Sequence, residues 1–158
     1  MDANQTEFRN PFGMDPDCRN CEKLCGARDR VVHGYGDAGA EFLVVGTAPT
    51  AAAERNGVPF TGEGGGELVQ SMFAELGFVR SAPDAAEPDV QNVFFTNVTR
   101  CRHPDRDPTD READTCEPFL NAEIRSINPQ ILVVVGERPL RELAVEYTTR
   151  RPDTFDIE

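Results

Sequence analysis

The sequence predicts an α/β protein: a three-layer sandwich in which a short parallel sheet lies between helices. Two observations carry this. Residues 42–46, 93–98 and 131–135 are short segments dominated by apolar residues, and helical patterns stand between and after them. Strands that are apolar nearly throughout, rather than on alternate residues, are buried on both faces, which is how parallel strands lie beneath helices. The length fits this reading, because 158 residues suit one domain of about 100–200 residues with a core of its own. With 39% apolar and 28% charged residues, a disordered tail is excluded.

The elements follow in order. The first 40 residues are rich in Cys, Gly and Arg and have little periodicity. Phe42-Leu43-Val44-Val45-Gly46 reads as the first buried strand, and Ala48-Pro49 breaks it. Leu68, Val69, Met72, Phe73 and Leu76 share one helical face, with Gly77 as C-cap. Residues 81–89, which hold Pro83 and Pro88, read as a surface loop. Val93-Phe94-Phe95-Thr96-Asn97-Val98 is the second strand. Thr109 and Glu112 have capping-box spacing and open a helix whose apolar face runs through Leu120, Ile124 and Ile127 to Asn128-Pro129. Residues 131–135 and Gly136 form the third strand. A last helix carries Leu140, Leu143, Ala144 and Tyr147 and fades by Arg150-Arg151-Pro152. No internal repeat or low-complexity tract is present. A doubly wound sheet would next take another strand, so the expectation is either a small sheet or a shortened chain. Residues 1–158 are read as a single domain.

Charge narrows the surroundings. Acids number 28 against 16 bases, a net charge of −12, and Lys23 is the single lysine. An acidic, lysine-poor surface stays solvated in concentrated salt, where the Debye length falls to about 3 Å at 1 M and self-repulsion is screened. The expected source is a salt-adapted, halophilic organism. The same balance argues against a surface that is basic all over, as a broad nucleic-acid footprint would be. No apolar run approaches the ~20 residues of a membrane span. Met1-Asp2-Ala3-Asn4 offers neither a basic flank nor an apolar stretch of a secretory signal. The expected location is cytoplasmic, with no membrane partner.

The five cysteines are Cys18, Cys21, Cys25, Cys101 and Cys116. Cys18-x₂-Cys21 is a turn that points two thiolates at one site. Cys101 closes a strand region, and Cys116 lies in the capped helix. Two local groups from opposite ends of the chain suit a four-thiolate site, holding either zinc or an iron–sulfur cluster. Free buried thiols are the plainer alternative. Disulfides are disfavoured in the cytoplasm, and no strand precedes the CxxC as a thioredoxin-type redox pair requires. Cys25 reads as a bystander.

Several landmarks now stand in order. They are Cys18-x₂-Cys21, Arg28, Val31-Val32-x-Gly34-x-Gly36, Leu43-Val44-Val45-Gly46-Thr47-Ala48-Pro49 and Gly57-x-Pro59-Phe60-Thr61-Gly62. Thr96-Asn97-Val98-x-x-Cys101-Arg102, Cys116-x-Pro118-Phe119-Leu120 and Pro129-x-Ile131 to Gly136 complete them. As an ordered set they resemble the family-4 uracil-DNA glycosylases, the iron–sulfur members of that superfamily. The resemblance implies a four-stranded parallel sheet between helices and a 4Fe-4S cluster held by Cys18, Cys21, Cys101 and Cys116, with residues 1–40 contributing to the cluster site. It implies that Phe60 stacks on uracil, that Asn97 reads the uracil edge, and that Gly46, Thr47 and Ala48 line the same site. These types suit the task. A glycosylase takes the base out of the stack, an aromatic face holds any base, and one amide offers both a donor and an acceptor.

The departures bear on catalysis. The family motif Gly-Glu-Ala-Pro-Gly here reads Gly46-Thr47-Ala48-Pro49-Thr50, and threonine cannot act as a carboxylate. The family's Glu-Asp pair is matched by Ala53 and Glu54, so Glu54 is the surviving acid to orient water. The family's His-Pro motif after the fourth strand is not reached. His103-Pro104 sits instead in the cluster loop and reads as exposed, and His33 reads as structural. Gly34-x-Gly36-x-x-Gly39 precedes a strand rather than following one, which excludes a dinucleotide site, and residues 62–66 lack the Gly-Lys-Ser/Thr of a P-loop. That glycine run reads as pocket floor or phosphate approach. Arg100, Arg102, Arg106 and Arg111 are candidates for DNA phosphates, against the plainer reading of acid-paired surface residues. The function implied is hydrolysis of the N-glycosidic bond of uracil in DNA, in base-excision repair, by a monomer. The alternative is a catalytically impaired iron–sulfur relative that binds DNA or a partner without excision.

Overall fold

A computed structural model describes residues 7–155. In chain order the elements are α1 (Glu22–Ala27), β1 (Tyr35–Gly36), β2 (Phe42–Gly46), α2 (Ala51–Asn56), α3 (Gly66–Glu75), β3 (Val93–Asn97), α4 (Asp110–Ile127), β4 (Ile131–Val134) and α5 (Glu137–Tyr147), followed by a 3₁₀ turn at Pro152–Thr154. The sheet order is β1-β3-β2-β4. β2 pairs in parallel with both β3 and β4, while the two-residue β1 adds to β3 antiparallel.

The three expected strands form the parallel part of the sheet. Val44, Phe95 and Val93 send their side chains into a core with Val58 and Phe73, on the α3 side. Leu43, Val45 and Phe94 point the other way, into a core with Leu120, Ile124, Ile127 and Leu143 of α4 and α5. The sheet is thus covered on both faces, which is why β2 and β3 carry apolar side chains at successive positions. Leu43, Val44, Val45, Phe94 and Phe95 are fully buried.

Three features differ from the sequence expectation. β1, α1 and α2 were hidden in segments with little hydrophobic periodicity. α2 is nonetheless punctuated correctly: Thr50 Oγ1 accepts the Ala53 N–H at 3.1 Å, and Gly57 closes the helix in the left-handed conformation. Second, residues 131–135 do not form a buried strand. β4 is an edge, with Ile131 47% exposed, because β2 covers one side of it and no described strand covers the other. Third, the five apolar residues of α3 do not make one buried face. Phe73 is buried, but Leu68, Met72 and Leu76 are 66%, 56% and 64% exposed. The helix instead turns Gly66, Gln70 and Phe73 inward. Among the described residues, no helix is long and apolar enough to cross a membrane.

Candidate functional site

Gly46 ends β2 and Asn97 ends β3, and the two are direct neighbours in the ladder. Both stand at the carboxyl ends of parallel strands, where open α/β sheets place ligands. Phe60 reaches them from the segment after α2. A Cβ added to Gly46 would lie 2.6 Å from Asn97 Oδ1 and 2.6 Å from the Phe60 ring. Glycine is therefore required there because two site side chains occupy the space. Together with Ala48, Pro49, Val69 and Val135, Phe60 and Asn97 line a cavity of ≈ 100 Å³ floored by Gly64, Gly65 and Gly66.

Phe60 is held in an unusual backbone state. Its φ is +55°, a left-handed conformation that costs a bulky residue energy unless its surroundings fix it. They do so through polar contacts. Gln70 of α3 donates to the Phe60 carbonyl at 2.8 Å. Thr61 donates to the Val58 carbonyl at 2.8 Å and accepts from Asn56 at 3.2 Å. A Cβ on Gly66 would strike the Thr61 backbone at 2.6 Å. The inward turn of α3 now has a cause, since Gln70 and Gly66 must face this loop. The Phe60 ring meets Phe95 at 5.8 Å between centroids, so one side of the ring is backed by the core.

The remaining site candidates fall elsewhere. Thr47 lines an adjoining groove with Thr50, Arg102 and residues 103–108. Glu54 does not line the cavity. Its carboxylate is buried, accepts the Asp29 N–H at 3.1 Å and lies 3.7 Å from Arg102. Among the described residues, no Asp, Glu or His lines the Phe60–Asn97 cavity. A separate concavity of ≈ 700 Å³ between α5 and residues 151–155 is lined by none of the candidates.

The arginines proposed for phosphate contact are mostly paired with acids. Arg100 is buried against Glu123 and donates to Thr96 Oγ1 at 2.5 Å. Arg106 grips Glu112 with two hydrogen bonds of 2.9 and 2.8 Å. Arg102 faces Glu54, and Arg111 alone of the four is exposed without such a contact among the described residues. His103 takes the Asp105 N–H in its loop. His33 is buried, 2.7 Å from the Asp15 carbonyl and 4.9 Å from the Phe119 ring. Burial holds it down to about 4.

A second site gathers the cysteines. Cys18, Cys21, Cys101 and Cys116 line one small enclosed cavity with Leu24, Arg28, Arg100 and Phe119. Cys25 does not line it, and its thiol faces the Cys18 carbonyl at 3.7 Å. Burial pushes the Cys101 thiol up to about 11 against the pull of Arg28, and burial also raises Cys116 and Cys21. Two sulfurs receive donors: Arg28 Nη1 at 3.2 Å from Cys101 Sγ, and the Arg100 N–H at 3.4 Å from Cys116 Sγ. Among the described residues, no three His, Cys, Asp or Glu side chains are placed to hold a single metal ion.

A mostly parallel sheet with a small cavity at its strand ends, an aromatic and an amide on either side of a glycine, defines an α/β protein with a candidate site at the carboxyl ends of its strands. The comparisons agree. The model of the Uracil DNA glycosylase superfamily matches residues 33–154, and the chain belongs to that family. It is 38% identical over 120 residues to a Type-4 uracil-DNA glycosylase of Sulfurisphaera tokodaii, covering 75% of this chain and 50% of the relative. It is 34% identical to the Type-4 uracil-DNA glycosylase of Archaeoglobus fulgidus, covering 75% and 54%. A Type-5 uracil-DNA glycosylase of Thermus thermophilus is 28% identical over 155 residues, covering 85% and 70%. The chain spans about half the length of the first two relatives.

Proposed function

We propose that this chain recognises uracil in DNA and serves base-excision repair as a uracil-DNA glycosylase-type protein, acting as a cytoplasmic monomer. The observation that carries the reading is the convergence of Phe60 and Asn97 on Gly46. The base, once extracted from the stack, lies against Phe60, and the Asn97 amide meets its carbonyl and ring N–H together. The cavity, at ≈ 100 Å³, is far smaller than the ~300–1,000 Å³ of sites for larger ligands, which suits a single small ring.

The reaction assigned is hydrolysis of the N-glycosidic bond. One observation favours recognition over efficient excision: among the described residues no titratable side chain lines the cavity, and Glu54 is engaged by Asp29 and Arg102. Loss of a positioned acid or base costs roughly 10²–10⁴-fold in rate, so excision by this chain is slow while base binding persists. The test is binding to a single-stranded oligonucleotide with one deoxyuridine, compared with the same strand carrying thymidine. Tighter binding of deoxyuridine that Asn97→Ala abolishes is the expected result. Equal affinity for both strands would end the uracil reading. A single-turnover assay on the same strand measures excision.

The four-cysteine cavity supports a 4Fe-4S cluster held by Cys18, Cys21, Cys101 and Cys116. The donor set fits: thiolates bind at separate irons of a cluster, so they surround a shared cavity without converging on one ion. Two N–H donors to the sulfurs suit anionic ligands. When bound, the cluster supplies a cross-link between the segment of Cys18 and Cys21 and the segment that follows Asn97.

A further inference from the structure

Arg28 stands apart from the other arginines. In a chain of 28 acids and 16 bases, carboxylate partners are plentiful, and Arg9, Arg55, Arg80, Arg102, Arg106 and Arg138 each take one. The Arg28 guanidinium instead has a cysteine sulfur as its hydrogen-bond partner. Its Nη1 donates to Cys101 Sγ at 3.2 Å, and its side chain forms part of the cysteine cavity wall.

The geometry has a local cause. α1 begins directly after Cys21 and ends at Arg28, whose backbone N–H caps the helix on the Leu24 carbonyl at 2.9 Å. One helix of 6 residues thus leaves the site at a cysteine and returns to it at an arginine. Leu24 is buried beneath it, which fixes the rotation of the helix. On the far side of the cavity, the Arg100 N–H serves Cys116, but the Arg100 guanidinium is committed to Glu123 and Thr96. Among the described residues, Arg28 is the one guanidinium with a hydrogen bond to a sulfur.

We infer that Arg28 is a charge-compensating residue of the metal centre, placing a charged hydrogen bond on the Cys101 sulfur and so retaining the cluster. The inference rests on the cluster reading above. A charged N–H···S bond stabilises the anionic ligand, and it stabilises the more negative, reduced cluster more than the oxidised one. Removal of the charge therefore has two consequences, faster loss of iron and a lower reduction potential. Changes of this kind outside the ligands cost roughly 10- to 100-fold in metal affinity.

The experiment uses the full chain, purified without oxygen, as wild type and as Arg28→Lys, Arg28→Gln and Arg28→Met. Iron and zinc are measured by elemental analysis, iron release by absorbance during exposure to a chelator, and the midpoint potential by voltammetry. Far-ultraviolet circular dichroism checks that each variant is folded. The expected result is an iron-loaded wild type, iron release accelerated by roughly 10- to 100-fold in Arg28→Met, less in Arg28→Lys, and a lower potential in Arg28→Gln and Arg28→Met. Iron-loaded variants with wild-type release and potential would overturn the role of Arg28 and leave the cluster standing. A wild type without iron, whether empty or holding zinc, would overturn the cluster and the inference with it.

Discussion

Gly46 shows how little space separates the residues of the site. Its absent side chain is replaced by the Phe60 ring and the Asn97 amide, each 2.6 Å from where a Cβ would stand. Gly46→Ala is expected to displace one or both. Base stacking is worth about 1–3 kcal/mol, so affinity for a deoxyuridine-containing strand falls by about tenfold or more, measured by fluorescence anisotropy, while the far-ultraviolet spectrum is kept. His33 supports a pH prediction at the same scale. Burial lowers it from 6.5 to about 4, so between these values the unfolded chain binds the extra proton. Stability from neutral His33 is full above about 6.5, falls as the pH drops toward 4, and stops falling below that. Urea midpoints across this range should slope less in His33→Gln than in wild type. Phe60, Asn97 and Gly46 were picked out by the family resemblance, and the structure brings the three side by side. Gln70 was not legible in the sequence, because a glutamine on a helix face reads as solvent-exposed until the carbonyl it must serve is known.

At the scale of elements, hydrophobic pattern served the strands better than the helices. β2 and β3 read correctly because residues buried on both faces leave no ambiguity of phase. α3 did not. Leu68, Val69, Met72, Phe73 and Leu76 share a stripe, yet Gln70 and Gly66 determine its rotation through the Phe60–Thr61 turn. A polar constraint from a neighbouring loop outweighed the apolar stripe, and nothing in the periodicity of the helix could register it. α4 is the opposite case. Thr109 accepts the Glu112 N–H at 3.2 Å and Glu112 accepts the Thr109 N–H at 3.0 Å, as the spacing predicted. Thr109→Ala should cost about 1 kcal/mol, seen as a lower urea midpoint with an unchanged slope. The edge position of β4 was not legible either, because an apolar run records what covers the faces of a strand and not what pairs with its sides.

For the whole molecule, the charge balance outlasts any single contact. Salt has two opposed effects on a chain of net charge −12. It weakens exposed ion pairs such as Arg9–Glu87, Arg80–Asp89 and Arg141–Glu137, each worth about 0–1 kcal/mol. It also screens repulsion among the unpaired acids, which is spread over the whole surface and destabilises the compact state. Buried pairs such as Arg100–Glu123 lie outside its reach. Acids exceed bases by 12, so repulsion remains after every possible pair is counted, and its relief outweighs the loss of a few surface pairs. Screening is nearly complete once the Debye length shrinks from about 10 Å at 0.1 M to about 3 Å at 1 M. The urea midpoint should therefore rise steeply with potassium chloride up to about 1 M and slowly beyond it. A second series in sulfate, which also strengthens apolar burial, should continue to rise where chloride has levelled. A midpoint that falls with chloride would mean that the surface pairs dominate, and the reading of this surface as adapted to salt would have to be given up.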